Sequence, residues 1–348
     1  MNRIAKTAAA VGVIACVAGG VLLTAGYLTG GMDYVEQRDY NSISDRGSRS
    51  DNQIILEKTP IDRVDAVKAD LKTLDLSIRT SDDDSWYIAY SVRETKEGKN
   101  PLSYSVENGV LTLREEPHSS PYINIDLNGF GSDEEGTSGD DTITLYAPRD
   151  TVLQTAEIVQ ETGDLSIDGV SCTKAECKLA YGDIELNDCV IGGGSMVLED
   201  GDASLRKVTS ETADWVLKYG DLTAENSRFS DGSIRLEDGS IHGKNVIWSG
   251  LSMTLAYGDF EEHGSTWDRI VLTMQDGDVE SRQLTVQGEN TVDSKYGDVS
   301  AKLTAESRKQ TVLDLRTDFG DINTYRSPAE GQNNRLTVTC ADGDIDIE

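Results

Sequence analysis

From residue 163 onward, apolar and polar positions alternate in short runs, and every run stands at a fixed distance from a glycine that is followed, with one exception, by aspartate. The glycines are Gly163, Gly182, Gly201, Gly220, Gly239, Gly258, Gly277, Gly297, Gly320 and Gly343; the first six intervals are 19 residues, the next is 20 and the last two are 23. Three residues before the glycine stand Leu179, Leu198, Leu217, Leu236, Leu255 and Met274; five before it stand Cys177, Met196, Trp215, Ile234, Met253 and Leu272. Two after it come residues such as Leu165, Ile184, Leu222, Ile241, Phe260 and Val299, and a further apolar pair follows seven and nine residues after it, as in Cys189/Ile191 and Val246/Trp248. Period-two alternation in runs this short predicts strands, because a helix would scatter these side chains over different faces.

No single 19-residue unit can bury its own apolar side. Stacking the units does so, with equivalent slots aligned about 4.8 Å apart, so ten coils make a rod roughly 50 Å long. The predicted fold is all-β: a parallel β-solenoid of 19-residue coils over residues 151–348. An antiparallel sandwich would require many hairpin turns, yet only Asn108-Gly109 stands plainly between two strands. Residues 54–150 alternate without the 19-residue period and predict an irregular N-terminal β cap with opening coils, including an acidic loop at Gly129 to Thr142.

Ahead of this lies a different pattern. Thr7 to Gly31 carries no charge and is long enough to cross a bilayer, which takes about 20 residues. Arg3 and Lys6 precede it and Asp33, Glu36 and Asp39 follow it, so the positive-inside rule places the body outside the cytoplasm. Residues 1–31 are therefore expected to be a basic tip and a single-pass transmembrane anchor, and residues 32–53 a polar linker. Cleavage by signal peptidase, and lipidation at Cys16 within a lipobox-like Val13-Ile14-Ala15-Cys16, are the competing readings of the same segment.

Composition then narrows the function. With 62 Asp+Glu against 32 Lys+Arg, the formal net charge is -30, which repels nucleic-acid phosphates and anionic headgroups. The three histidines, His118, His242 and His263, are widely separated in sequence and leave little material for imidazole catalysis or a histidine metal site. The acidity is patterned. The residue after the glycine is Asp164, Asp183, Asp202, Asp221, Asp259, Asp278, Asp298, Asp321 or Asp344, interrupted only by Ser240, while the residue before it alternates: Tyr181, Asp200, Tyr219, Asp238, Tyr257, Asp276, Tyr296.

The continuous Asp column needs compensation. Hydrogen bonds from backbone N–H groups at the corner supply it in one reading; in the other, Asp200/Asp202 and Asp276/Asp278, with neighbours from adjacent coils, coordinate Ca²⁺, which takes six to eight oxygens. No cofactor is otherwise required. Tyr181, Tyr219, Tyr257 and Tyr296 form a candidate ligand-facing track whose spacing suits a disaccharide, against the alternative that they cover a corner. Cys172, Cys177 and Cys189 fall in interior slots of the first two coils and Cys340 in the last, either as core thiols or with a Cys172–Cys177 bridge.

The opening IDRVDAVKADLKTLDLSIRTSD, the NGVLTLREE hairpin, the TLYAPRD segment leading into AEIVQETGDLSIDGV, and the string of YGDI-like and DGDV-like turns together resemble the putative-adhesin family of bacterial domains of unknown function, common in membrane-anchored proteins of Gram-positive bacteria. The resemblance covers about residues 55–348. It implies a β-solenoid ectodomain on a single anchor, placed in a cell-envelope response operon, and carries no catalytic residues across.

Two functions follow. The first is a non-enzymatic, adhesin-like surface protein presenting an interaction face to envelope glycan or a surface protein. The alternative is a polysaccharide lyase or hydrolase on a β-helix scaffold, but the regular coils between Gly163 and Gly277 leave almost no insertion from which to build a catalytic cleft.

Overall fold

The computed structural model describes residues 53–95, 97–116, 141–326, 328 and 333–348. The apolar segment 7–31, the linker to residue 52, Cys16, His118 and most of the acidic loop after Gly129 lie outside the described residues. Among the described residues no helix is long and apolar enough to cross a membrane.

Residues 54–348 form one compact unit, a parallel β-solenoid. A coil begins with a long strand such as Ser171–Tyr181, turns at Gly182-Asp183, continues in a four-residue strand Ile184–Asn187, and turns again at Asp188 into the next long strand, Val190–Asp200. In later coils the long strand divides into a three-residue and a six-residue piece, as in Arg228–Ser230 and Ser233–Asp238. Neighbouring coils pair in parallel with a register step of 19 residues, so Leu179, Leu198, Leu217, Leu236, Leu255 and Met274 stack in one file. All six are at most 2% exposed. Burying each such side chain is worth about 1.5–3 kcal/mol, and no file would be dry without the coil above and below it.

The Gly-Asp corner admits no other residue. Gly201 has φ +149°, and a Cβ placed on it would stand 2.1 Å from the carbonyl oxygen of Gly182 in the preceding coil. The second corner is less strict: Asp188, Lys207, Asn226, Asn245 and Gln283 all take a left-handed φ there.

Inside the rod, volume is exchanged between files. Leu186 and Leu205 give way to Ala224 and Gly243 at the same slot. Trp215, Phe229, Trp248, Phe260 and Trp267 fill that space as a continuous aromatic spine with ring centroids 4.8–6.3 Å apart. Glu262 follows in the same file and is buried in this spine. Its Oε2 accepts from Trp248 Nε1 at 3.0 Å and its Oε1 from Ser281 Oγ at 2.6 Å. Burial pushes its carboxyl above the usual range, while the bonds from Ser281 and Trp248 pull it back.

Sequence order predicts that coils stack in the order in which they are made, and at both ends they do not. The C-terminal strand Asn334–Asp342 lies between Glu289–Tyr296 and Thr311–Phe319, pairing in parallel with both. The chain thus builds the outermost coil first and then returns to fill the gap. The helix Ala305–Gln310, about 9 Å long at 1.5 Å per residue, has the length needed to advance two coils instead of one. At the other end Asp75–Thr80 is held between Thr142–Ala147 and Leu165–Asp168 in the same way. Antiparallel pairs close that end: Leu102–Glu107 with Val110–Glu115 through Asn108-Gly109, whose positive φ values suit a two-residue hairpin, and Trp86–Arg93 with Thr142–Ala147.

Candidate functional site

Two columns flank the Gly-Asp corner, and backbone geometry sets both. In the column after the glycine, each aspartate reaches the next coil. The N–H of Asp183 donates to Asp164 Oδ1 at 2.8 Å, that of Asp202 to Asp183 at 2.8 Å, and that of Asp221 to Asp202 at 2.7 Å. Ser240 takes its turn without a break: its N–H donates to Asp221, and its hydroxyl accepts from the N–H of Asp259 at 3.1 Å. The ladder then follows spatial order, from Asp278 to Asp298, Asp344 and finally Asp321. Compensation by backbone N–H groups is therefore real, but it acts between coils where the sequence suggested a local turn.

The column before the glycine faces solvent. Tyr181, Tyr219, Tyr257 and Tyr296 are 61%, 58%, 53% and 46% exposed, so they do not serve as lids on a corner. Tyr181 pairs with Asp200, Asp200 with Tyr219, Tyr219 with Asp238, and so on to Asp276. In sequence the alternation fails after Tyr296, where Phe319 precedes Asp342. In space it is restored, because Asp342 is the partner of both Tyr296 and Phe319. The column reads Tyr, Asp, Tyr, Asp, Tyr, Asp, Tyr, Asp, Phe. Phe319 is 73% exposed and is a fifth ring that sequence reasoning missed. At about 4.8 Å per coil the rings are about 9.6 Å apart and span nearly 40 Å. Among the described residues the side chains of Asp200, Asp238, Asp276 and Asp342 make no ion pair. Tyr296 also has a cation beside it: Lys295 Nζ stands 4.9 Å from its ring centroid.

Of the carboxylates considered for calcium, Asp202 and Asp278 each have Oδ1 engaged by the next N–H in the ladder, and Asp200 and Asp276 belong to the other column. Among the described residues no group of three or more His, Cys, Asp or Glu side chains is placed to hold a metal ion.

Cys172, Cys177, Cys189 and Cys340 are free thiols in the interior. Burial is the main cause that raises all four; Cys189 is pushed up to about 12, and Cys172 donates to the carbonyl of Lys174 at 2.9 Å.

Among the described residues, open cavities on the outer face of the short-strand sheet include two of note. One, about 340 Å³, is a trough between His242, Glu261 and Glu280 on one side and Lys244, His263 and Arg282 on the other. Its cations are matched within it: Lys244 pairs with Glu225 at 2.7 Å and Arg282 with Glu280. The other, about 660 Å³, runs along the Asp ladder past Asp75, Asp164, Asp183 and Asp202. Neither includes a residue of the aromatic column.

Residues 64–348 match the family described as Toastrack DUF4097. Among solved structures, a "putative adhesin" from Parabacteroides distasonis is 10% identical, with 85% of this chain and 98% of that chain covered and a TM-score of 0.47. A "putative adhesin" from Bacteroides fragilis is 11% identical, with 86% and 98% covered and a TM-score of 0.39. A "putative cell adhesion protein" from Clostridium sporogenes is 11% identical over 85% and 98%, with a TM-score of 0.18. No curated protein matches the chain.

Proposed function

The chain belongs to the Toastrack DUF4097 family, and from that premise we propose that it is a non-enzymatic, membrane-tethered rod that holds an exposed aromatic and acidic column against material of the cell envelope. The observation that carries this reading is the column itself. Exposed rings scattered singly over a surface are ordinary, whereas five in file at every second coil, alternating with carboxylates, form a regular line that a repeating partner can follow. The uncharged segment 7–31 supports the tether. A rod of fixed pitch supports presentation to a partner, since its side chains are held by the register of the backbone and not by loops.

Retention of the full-length chain, kept in mild detergent, on isolated cell-wall and membrane fractions tests the reading. Wild type is expected to be retained, and Tyr219→Ala combined with Tyr257→Ala to elute early. Equal elution of the two proteins, or no retention of either, counts against it.

A further inference from the structure

We propose that the aromatic and acidic column is a binding track for a linear β-1,4-linked glycan, uncharged or amine-bearing, with one ring for each disaccharide; this rests on the envelope-binding reading above. Three observations on the column lead there. The first is its period. Rings recur at about 9.6 Å because the coil rise is fixed by parallel pairing, and a disaccharide of an extended β-1,4-linked glycan advances slightly farther, a mismatch that bending of the glycan takes up. A ligand that repeats with the rod can meet every ring, and each further contact is then intramolecular.

The second is that the alternation holds in space where it fails in sequence. Asp342 comes between Tyr296 and Phe319 only because the C-terminal strand is inserted between two coils that were made before it. Stacking alone does not demand this, since an aromatic residue at both neighbouring coils would bury more ring surface. The order Tyr296, Asp342, Phe319 keeps every ring separated by a carboxylate, and so keeps one face of each open. Carboxylates accept hydrogen bonds from hydroxyl groups and attract an ammonium, the two kinds of group that such a glycan carries along its edge.

The third is the shape of the surface. A polyproline helix also repeats near this distance, at about 9.3 Å from three residues of 3.1 Å, but it docks into aromatic-lined grooves. Here the rings stand in single file along an exposed column, and neither of the two cavities described above includes one of them. Nucleic acids and uronic-acid polymers are repelled by the intervening carboxylates and by the net charge of -30.

The full-length chain in mild detergent is titrated calorimetrically with chito- and cello-oligosaccharides from disaccharide to lengths beyond the decasaccharide that would cover all five rings. Affinity is expected to rise by about tenfold for each added disaccharide and to level off once five rings are spanned. Tyr219→Ala with Tyr257→Ala should keep the rise from disaccharide to tetrasaccharide, which Tyr296 and Phe319 still span, and abolish the rise over the next lengths. Phe319→Ala should leave short oligomers unaffected and weaken only the longest, which tests the ring assigned from the inserted strand. All three side chains are exposed, so unchanged melting curves of the variants separate lost binding from lost folding. Length-independent affinity, equal binding by the variants, or preference for hyaluronate or a proline-rich peptide overturns the proposal. Retention on wall fractions that protease treatment abolishes, together with no heat from the oligosaccharides, overturns the glycan and leaves the envelope-binding reading standing. Loss of wall retention as well removes both.

Discussion

Replacing Asp202 by Asn keeps an acceptor for the N–H of Asp221 and removes one charge from the ladder, so the two opposing effects can be weighed. Asp183 and Asp221 stand one coil away on either side, at about 4.8 Å. Between exposed carboxylates in water each repulsion is about 0.9 kcal/mol, so relief from both neighbours is roughly 1.7 kcal/mol before screening. Against this, a hydrogen bond to a charged acceptor is worth about 1 kcal/mol more than one to a neutral acceptor. At 10 mM salt, with a Debye length near 30 Å, repulsion dominates and Asp202→Asn should stabilise by about 0.5 kcal/mol. Near 0.15 M the repulsion is roughly halved and the two effects nearly cancel. At 1 M, where the Debye length is about 3 Å, the lost bond strength should leave the variant less stable than wild type. The sign of the effect therefore reverses with salt. Asp221→Asn is the control, because Ser240 replaces one of its charged neighbours and the relief should be about half. Thermal unfolding followed by circular dichroism at the three salt concentrations reads the differences, each of about 1–2 °C. A shift of the same sign at every concentration, or equal behaviour of the two positions, would refute the account of the column as like charges held by backbone bonds.

Other consequences are open to measurement. Gly201→Ala should lower the melting midpoint by far more than the ~1 kcal/mol usual for alanine at positive φ, because its Cβ would overlap the carbonyl of Gly182 at 2.1 Å; a midpoint within a degree or two of wild type would contradict the corner geometry. Glu262 has a folded pKa raised by burial, so the unfolded chain binds fewer protons between the ordinary glutamate value and the raised one, and stability falls as pH rises through that window. Glu262→Gln should flatten this part of the pH profile and be at least as stable as wild type at neutral pH, as melting curves from about pH 4 to pH 8 would reveal. Thiol titration of the native chain should leave Cys172, Cys177, Cys189 and Cys340 unreacted until denaturant is added; early reaction of Cys189, whose thiol is pushed up to about 12, would argue against a closed interior. Calcium and chelator should give the same melting midpoint, since ladder N–H groups already engage Asp202 and Asp278; a calcium-dependent rise of several degrees would reverse that expectation.

The coil was legible because a solenoid keeps the outer face of a parallel sheet in water. Parallel strands buried on both faces read as continuous apolar runs, whereas here the wet outer face restores alternation and leaves a period-two signature in each short run. Leu179 to Met274 therefore announced an interior file from sequence alone. The Asp column was legible as a column, but the direction of its bonds was not, because an aspartate beside a positive-φ glycine can bond its own turn or the next coil and sequence does not separate the two. Glu262 was missed for another reason. Its slot holds Leu186 and Leu205 in earlier coils, and the carboxylate becomes tolerable there because Ser281 on the next coil donates its hydroxyl and Trp248 arrives from a different file with an N–H to donate.

The inserted strand is the instructive failure. Two spacings of 23 residues suggest a lengthened loop within ordinary sequential stacking, and period counting cannot distinguish that from a coil built out of order. The signal was in the alternation. Tyr, Asp, Tyr, Asp along the chain breaks only at Phe319, and a column that is kept strictly through seven coils and then broken asks for another order of coils before it asks for an exception. Exchanging the last two coils satisfies the column, and the Asp ladder follows the same exchange, from Asp298 to Asp344 and then to Asp321. The outermost coil is thereby held by a strand that arrives last. Holding the coil of Thr311–Phe319 thus requires the strand Asn334–Asp342, and a truncation before Asn334 removes the parallel partner of both Glu289–Tyr296 and Thr311–Phe319.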